Sequence, residues 1–78
     1  MDYDTDRVDD CTLALMYLVR HGDTFGTRAW KGFDWDTLSR LHEKGMICDP
    51  KGKARSVMMT DEGETRCKEL FEAMFHRD

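Results

Sequence analysis

No stretch of the sequence is long and apolar enough to suggest a membrane span. The apolar run at residues 13–19 is far shorter than the roughly 20 residues that a spanning helix needs. The first ten residues carry five acids and one base, whereas a secretory signal peptide begins with positive charge. We therefore expect no signal peptide, no membrane partner and a cytoplasmic location.

Cysteine is scarce and its spacing is irregular. Three cysteines, an odd number with no CxxC pair, are spread along the chain, which argues against a disulfide framework and fits a reducing compartment. Cys11 and Cys67 fall on apolar stripes of predicted helices, so we expect both to be buried. His21, His42 and His76 have no metal-ligand spacing with one another or with the cysteines. The sequence predicts no metal site.

Catalytic motifs are also missing. The sequence contains no glycine-rich phosphate-binding loop and no Ser/His/Asp or Cys/His signature. A chain of 78 residues also has little material with which to enclose a substrate pocket. We therefore predict a protein that is not an enzyme, with no catalytic residue and no cofactor.

The length predicts one small domain over residues 1–78, with residues 1–5 flexible. In so short a chain the ordering entropy, roughly 1.5 kcal/mol per residue, nearly cancels the gain from buried apolar area at ~25 cal/mol per Å². Binding to another protein chain would then add to the stability of the fold. For this reason we consider both a protein partner and a homodimer.

Charge is unevenly distributed along the chain, whose net charge is −4. Residues 20–55 carry eight bases and five acids, and the segments on either side are acidic. Nucleic-acid binding requires clustered Lys and Arg rather than a positive total. The middle of the chain meets this condition, although the molecule as a whole repels DNA at long range.

The first predicted helix covers residues 6–20. A short polar side chain among residues 4–6 can cap its start, and Gly22 has the conformational freedom to stop it. Apolar side chains cover so much of the circumference of this helix that it must be buried on more than one side. We therefore predict a dimer interface that contains Leu13, Met16 and Tyr17.

The second predicted helix covers residues 35–44 and has well-marked ends. Asp34 is the expected N-cap, and Phe33 and Leu38 have the spacing of a hydrophobic staple. Gly45 should end the helix in a left-handed conformation, with Met46 folding back on Leu41.

The bulky aromatic residues are concentrated in "RAWKGFDW", residues 28–35. Phe33 and Trp35 are expected to pack in the gap between the first two helices. Trp30 lies between Arg28 and Lys31, and tryptophan beside arginine is typical of an interface hot spot. We therefore expect Trp30 at the surface.

A β-hairpin and a last helix follow. Residues 46–48 and 54–59 are predicted strands joined across "DPKGK", whose residues favour a type I turn. Lys51, Lys53 and Arg55 lie on or near the tip of this hairpin. Thr60 should cap a helix that runs to about Phe75, and Gly63 should let that helix approach the hairpin closely.

The order helix, helix, hairpin, helix predicts a small α+β, winged-helix-like domain. "LSRLHEKGMICDPKGKARSVMMTDEGETRCKELF" resembles the second half of bacterial winged-helix regulators of the MarR and PadR kind. The likeness implies nucleic-acid binding through the hairpin. "RAWKGFDWDTLSRLHEKGMI", "DPKGKARSV" and "TDEG" also resemble a family of short bacterial proteins of unknown function, which implies no activity.

The sequence departs from the regulator pattern in two places. A helix-turn-helix needs a helix before its recognition helix, but the segment between Gly22 and Asp34 has room for only a short turn, near residues 27–31. The start of the second helix, where bases are usually read, is acidic, with Asp34 and Asp36.

Two functional hypotheses remain open. The first is a non-enzymatic module that binds nucleic acid through a basic hairpin. The alternative is a small acidic inhibitor that binds a nucleic-acid-handling protein complex and imitates nucleic acid. The residues predicted to bind nucleic acid or a protein partner are Arg28, Trp30, Lys31, Arg40, Lys51, Lys53 and Arg55.

Overall fold

Three helices and one three-stranded antiparallel sheet make up the fold. The computed structural model describes residues 1–77, apart from the side chain of Asp23. In chain order the elements are α1 (Thr5–Met16), β1 (Arg20–Asp23), β2 (Gly26–Trp30), α2 (Trp35–Glu43), β3 (Ser56–Met58) and α3 (Asp61–Phe75). The strand order is β1-β2-β3, with both pairs antiparallel. The α+β class is confirmed.

Each helix begins at a short polar side chain that accepts a hydrogen bond from a first-turn amide. Asp4 caps α1, Asp34 caps α2 by accepting from the Thr37 amide at 3.0 Å, and Thr60 caps α3 by accepting from the Gly63 amide at 2.9 Å. These bonds satisfy amides that have no partner within the helix. The predicted starts of all three helices are confirmed to within a residue.

The first helix is shorter than predicted, because α1 ends at Met16 and not near Arg20. The amide of Leu18 donates to the carbonyl of Leu15, and the amide of Val19 donates to the carbonyl of Met16. These i→i−3 bonds tighten and end the helix. Gly22 lies within β1 and is not a helix stop.

A β-hairpin replaces the short turn that was predicted before the second helix. Strand β1 pairs with β2 from Arg20↔Ala29 to Asp23↔Gly26, so the connection has only the two residues between the paired ends. Arg20 is partly buried, His21 and Gly22 are exposed, and the strand lacks the alternation of buried and exposed residues that marks a strand in sequence.

The one hairpin predicted from the sequence, residues 46–48 with 54–59, is confirmed only in part. Strand β3 pairs with β2, from Arg28↔Met58 to Trp30↔Ser56. Residues 46–48 contribute a bridge between Ile47 and Met59, and the Cys48 amide donates to the Met58 carbonyl at 2.9 Å. Because the sequence analysis missed β2, it did not predict the longer pairing of β3 with that strand. Residues 49–55 form a loop between that bridge and β3.

The end of α2 follows the predicted Schellman pattern. Gly45 has a φ of 77°, and the amides of Gly45 and Met46 donate to the carbonyls of His42 and Leu41, both at 3.0 Å. Gly63 on α3 then packs directly on Met46, where a Cβ atom would lie 1.8 Å from the Met46 carbonyl oxygen.

A single core joins the helices to one face of the sheet. Cys67 is buried as predicted, whereas Cys11 is exposed, because it lies on the outer side of α1. The buried hydrophobic residues are Leu13, Ala14, Met16, Ala29, Leu38, Leu41, Ile47, Val57, Met59, Cys67 and Leu70.

Candidate interaction surface

Arg40 belongs to a buried ionic contact between α1 and α2. Its Nε atom donates to both carboxylate oxygens of Asp9, at 2.9 and 3.0 Å. Asp9 is fully buried. The Nζ atom of Lys44 donates to Asp9 and to Asp6, both at 2.8 Å. Arg40 was predicted to bind a partner, but the structure directs it into the chain.

The ionic contact shifts the pKa values of Lys44, Asp6 and Arg40. The hydrogen bonds to Asp6 and then to Asp9 raise the pKa of Lys44, and the hydrogen bond from Lys44 lowers the pKa of Asp6. The hydrogen bond to Asp9 raises the pKa of Arg40. Each group is therefore held in its charged form, and these charges stabilise the packing of α2 on α1.

Sequence analysis missed Asp9, although a signal was present. Asp9 lies four residues before Leu13 and seven before Met16, which places an acid on the buried face of the helix. A buried carboxylate requires partners. Two bases one turn apart on the neighbouring helix, Arg40 and Lys44, provide them.

Arg28 also makes contacts within the chain. Its Nε and Nη2 atoms donate to the hydroxyl and the carbonyl of Ser56, each at 2.7 Å. These bonds join β2 to β3 through a side chain in addition to the backbone ladder. Arg28 therefore has a structural role in the sheet.

Lys31 holds the loop at residues 49–55 against the end of β2. Its Nζ atom donates to the carbonyls of Pro50 and Gly52, and its amide donates to the carbonyl of Arg55 at 3.0 Å. The predicted binding residue Lys31 thus positions the loop, since its ammonium group is occupied by carbonyl oxygens.

The remaining predicted bases lie on that loop, which we call the basic loop (residues 49–55). Lys51, Lys53 and Arg55 are all exposed. Within the described part of the chain, no carboxylate or carbonyl binds the charged end of any of the three side chains. The carboxylate of Asp49 instead accepts from the Lys51 amide at 2.9 Å and shapes the turn. The basic loop presents three available cations.

Trp30 lies at the surface beside the basic loop, with half of its side chain exposed. A Cβ atom at Gly32 would lie 2.2 Å from the indole, so the ring rests against the main chain there. The Phe33 ring packs on the indole with centroids 6.0 Å apart and planes at 64°. Trp30, Lys31, Gly32 and Arg55 line an open cleft of about 360 Å³.

Trp35 is also at the surface, so its predicted place in the core is wrong. It is 49% exposed, whereas Thr37, Leu38 and Leu41 provide the buried face of α2. As the first residue of α2, Trp35 precedes the turn that packs on the core. It lines a second cleft, of about 210 Å³, whose other walls include His42 and Lys51. The basic loop therefore has a half-exposed tryptophan on each side.

The residues predicted to form a dimer interface are used within the chain. Leu13 and Met16 are 1% and 0% exposed, so the folded chain leaves no surface of either for a second copy. Tyr17 stacks on Phe71 with ring centroids 4.9 Å apart, and the Arg20 guanidinium lies 4.0 Å from its ring centre. The helix has its second partner in α3.

Two features are absent from the part of the chain that the structure describes. Among the side chains of residues 1–77, Asp23 excepted, no three or more His, Cys, Asp or Glu come close enough together to hold a metal ion. No helix in the same range combines the length and the apolar character that crossing a membrane would need.

Comparison with known proteins identifies a family. Residues 4–77 match the family described as "Domain of unknown function (DUF6429)". The chain is 51% identical, over 77 residues, to "Uncharacterized protein y4hR" of Sinorhizobium fredii (strain NBRC 101917 / NGR234), with 99% of this chain and 100% of that protein covered. No solved structure matches the chain. The predicted similarity to short bacterial proteins of unknown function is confirmed.

Proposed function

We propose that this chain, which belongs to the DUF6429 family, is a non-enzymatic module that binds nucleic acid through its basic loop. The observation that carries the proposal is the set of three exposed cations, Lys51, Lys53 and Arg55, without intramolecular partners in the described residues. Phosphate groups are the natural partners of such a cluster, because neutralising them releases condensed counterions.

The position of the basic loop supports phosphate contact. Lys31 ties the loop to β2 through two carbonyls, so the loop is held in place before a ligand arrives. A held loop loses less conformational entropy on binding than a free one. The net charge of −4 opposes long-range attraction, so we expect weak binding that depends strongly on salt.

The helix α2 does not take the place of a recognition helix in this proposal. Its N-cap Asp34 and its first-turn residue Asp36 repel phosphate, and its Arg40 is bound to Asp9. The resemblance to winged-helix regulators is retained only for the basic loop, which would act as a wing that contacts the backbone. We therefore propose binding with little preference for sequence.

A salt titration tests the proposal. Labelled 20-nucleotide DNA and RNA, single- and double-stranded, are titrated with protein between 50 and 200 mM salt and followed by fluorescence anisotropy. Three phosphate contacts predict a roughly 20- to 40-fold loss of affinity over that range. The triple variant Lys51→Ala, Lys53→Ala, Arg55→Ala should weaken binding to every sequence and flatten the salt dependence.

The matched control changes the net charge equally at other exposed sites. Arg7→Ala, Lys68→Ala and Arg77→Ala remove three exposed bases outside the basic loop. This variant should retain the slope and nearly all of the affinity. No binding by the wild type, or equal losses in both triple variants, would contradict the proposal.

The alternative, an acidic inhibitor that binds a protein, rests on a different surface. Helix α3 exposes the acids Asp61, Glu62, Glu69 and Glu72, of which Glu69 is paired with Arg66, and we propose that the other three imitate phosphate groups. A discrete protein partner that survives nuclease treatment, and is lost when Asp61 and Glu62 are changed to Lys, would favour this alternative over nucleic-acid binding.

A further inference from the structure

We infer that Trp30 is a stacking platform for an unpaired base, so that the ligand of the basic loop is single-stranded nucleic acid. The inference rests on the proposed function, because it adds a base contact to the phosphate contacts of Lys51, Lys53 and Arg55. The inference concerns the base of the nucleotide, whereas the proposed function concerns its phosphate. It can therefore fail while phosphate binding stands.

The indole of Trp30 is exposed and yet held in place. Gly32 leaves room for the ring to lie against the main chain, since a Cβ atom there would come within 2.2 Å of it. Phe33 packs on the ring with centroids 6.0 Å apart. Half of the side chain still faces solvent. A fixed aromatic surface of this kind binds a flat ligand without first having to be ordered.

Charge beside the ring favours a nucleotide over an uncharged aromatic ligand. Arg55 and Lys31 line the same cleft as Trp30. The ammonium group of Lys31 is bound to Pro50 and Gly52, which leaves the exposed Arg55 as the available cation. A base stacked on the indole would bring its phosphate into the reach of that side chain. Aromatic surfaces beside a positive groove are typical of proteins that bind single strands.

A duplex cannot use this platform along its length. Its bases are stacked on one another, and exposing a base face requires the base to leave the helix. Phosphate contacts are available in both forms of nucleic acid. The structure thus predicts a preference for single strands that depends on Trp30 and not on the charges.

Trp35 provides a matched control within the same chain. It is exposed to nearly the same extent as Trp30, 49% against 50%, and it also borders the basic loop. Unlike Trp30, it has no close ring contact with another aromatic residue in the described part of the chain. If the base stacks on an ordered ring, replacing Trp30 by Ala should lower the affinity more than replacing Trp35 by Ala.

The experiment compares three oligomers of equal length: a single strand of thymidines, the same strand in a duplex, and an abasic strand that keeps only sugar and phosphate. We expect the wild type to prefer the single strand to the abasic strand. Trp30→Ala should lower the affinity for the single strand roughly 5- to 150-fold, to about the level of the abasic strand. Trp30→Tyr should retain most of the affinity, and Trp35→Ala should change it less than threefold.

A spectroscopic signal keeps the test valid if Trp30→Ala fails to fold. In a Trp35→Phe background the only tryptophan is Trp30, and its fluorescence should be quenched by the single strand and not by the abasic strand. Equal binding of all three oligomers with no quenching would overturn the stacking platform and leave phosphate binding intact. No binding of any oligomer would overturn the proposed function, and the inference with it.

Discussion

Two groups of basic residues only a few residues apart in the chain have opposite fates in the fold. Arg40 and Lys44 on α2 converge on the buried carboxylate of Asp9. Lys51, Lys53 and Arg55 on the basic loop extend into solvent. In the sequence all five belong to one basic middle segment. The comparison shows that a count of bases overstates the charge available to a ligand.

The two groups differ because, in the part of the chain that the structure describes, a buried acid lies within reach of Arg40 and Lys44 only. Residues 40 and 44 are one helical turn apart, so both side chains point to the same side of α2 and towards α1. Asp9 faces them from the buried side of α1. On the basic loop, no carboxylate of the described residues binds the charged end of Lys51, Lys53 or Arg55. Packing therefore neutralises the first group and leaves the second.

The largest expected effect comes from removing Asp9, the acid that binds Arg40 and Lys44 and has no counterpart at the basic loop among the described residues. Asp9→Ala leaves Arg40 and Lys44 without their shared partner and opens a small cavity. We expect a loss of about 2–4 kcal/mol in the free energy of unfolding, or roughly 8–32 °C in the melting temperature. Thermal and urea denaturation followed by circular dichroism measure it.

A neighbouring acid serves as the control for Asp9. Asp10 is partly exposed and lies outside the ionic contact, so Asp10→Ala should change the free energy of unfolding by less than about 0.5 kcal/mol. If Asp9→Ala alone prevents folding, Asp9→Asn, which keeps the shape, should show a smaller loss. Equal stability of the Asp9 and Asp10 variants would show that the ionic contact is not important for the fold.

Lys31 provides an intermediate effect, because it connects the body of the protein to the basic loop. Lys31→Met removes two hydrogen bonds to loop carbonyls and should cost about 1–2 kcal/mol. It should also speed amide exchange in the loop. Lys53→Met, which changes an exposed lysine of the same loop, should leave both quantities nearly unchanged. Loop exchange rates identical in the two variants would refute this role for Lys31.

The smallest expected effect is the acid dependence of stability. The hydrogen bond from Lys44 lowers the pKa of Asp6, and the hydrogen bond from the Thr37 hydroxyl lowers that of Asp34. Their stabilising contributions are therefore present above the unfolded-state pKa of about 3.9 and are lost as the pH falls through the lower folded values.

Urea midpoints between pH 7 and pH 2 measure this dependence. The midpoint should fall below about pH 4, and Asp6→Asn should flatten part of that fall. Asp34→Asn should flatten another part while keeping an N-cap residue. A wild-type midpoint that stays constant to pH 2 would contradict the lowered pKa values.

Local signals in the sequence were reliable wherever a few neighbouring residues decide the structure. Asp34 and Thr60 were predicted as caps, and Gly45 as the end of α2, because each acts on backbone groups within one turn. Cys67 was correctly assigned to the core. The exposure of Trp30 was anticipated from its basic neighbours.

Errors occurred wherever a distant segment decides the outcome. The hairpin of β1 and β2 was missed, because β1 has a mostly exposed, polar sequence and is stabilised by pairing rather than by its own pattern. The pairing of β3 with β2 was missed with it. Cys11 and Trp35 were expected to be buried, but the core uses other sides of α1 and α2.

The sequence by itself determined the local structure: where the helices begin, where α2 ends, and which loop carries Lys51, Lys53 and Arg55. Hydrogen bonds within one turn set these features. The tertiary structure alone decided the strand order, the burial of Leu13 and Met16 against the chain's own elements, and the capture of Arg40 by Asp9. These depend on contacts between residues far apart in the chain, whose geometry a linear pattern does not encode.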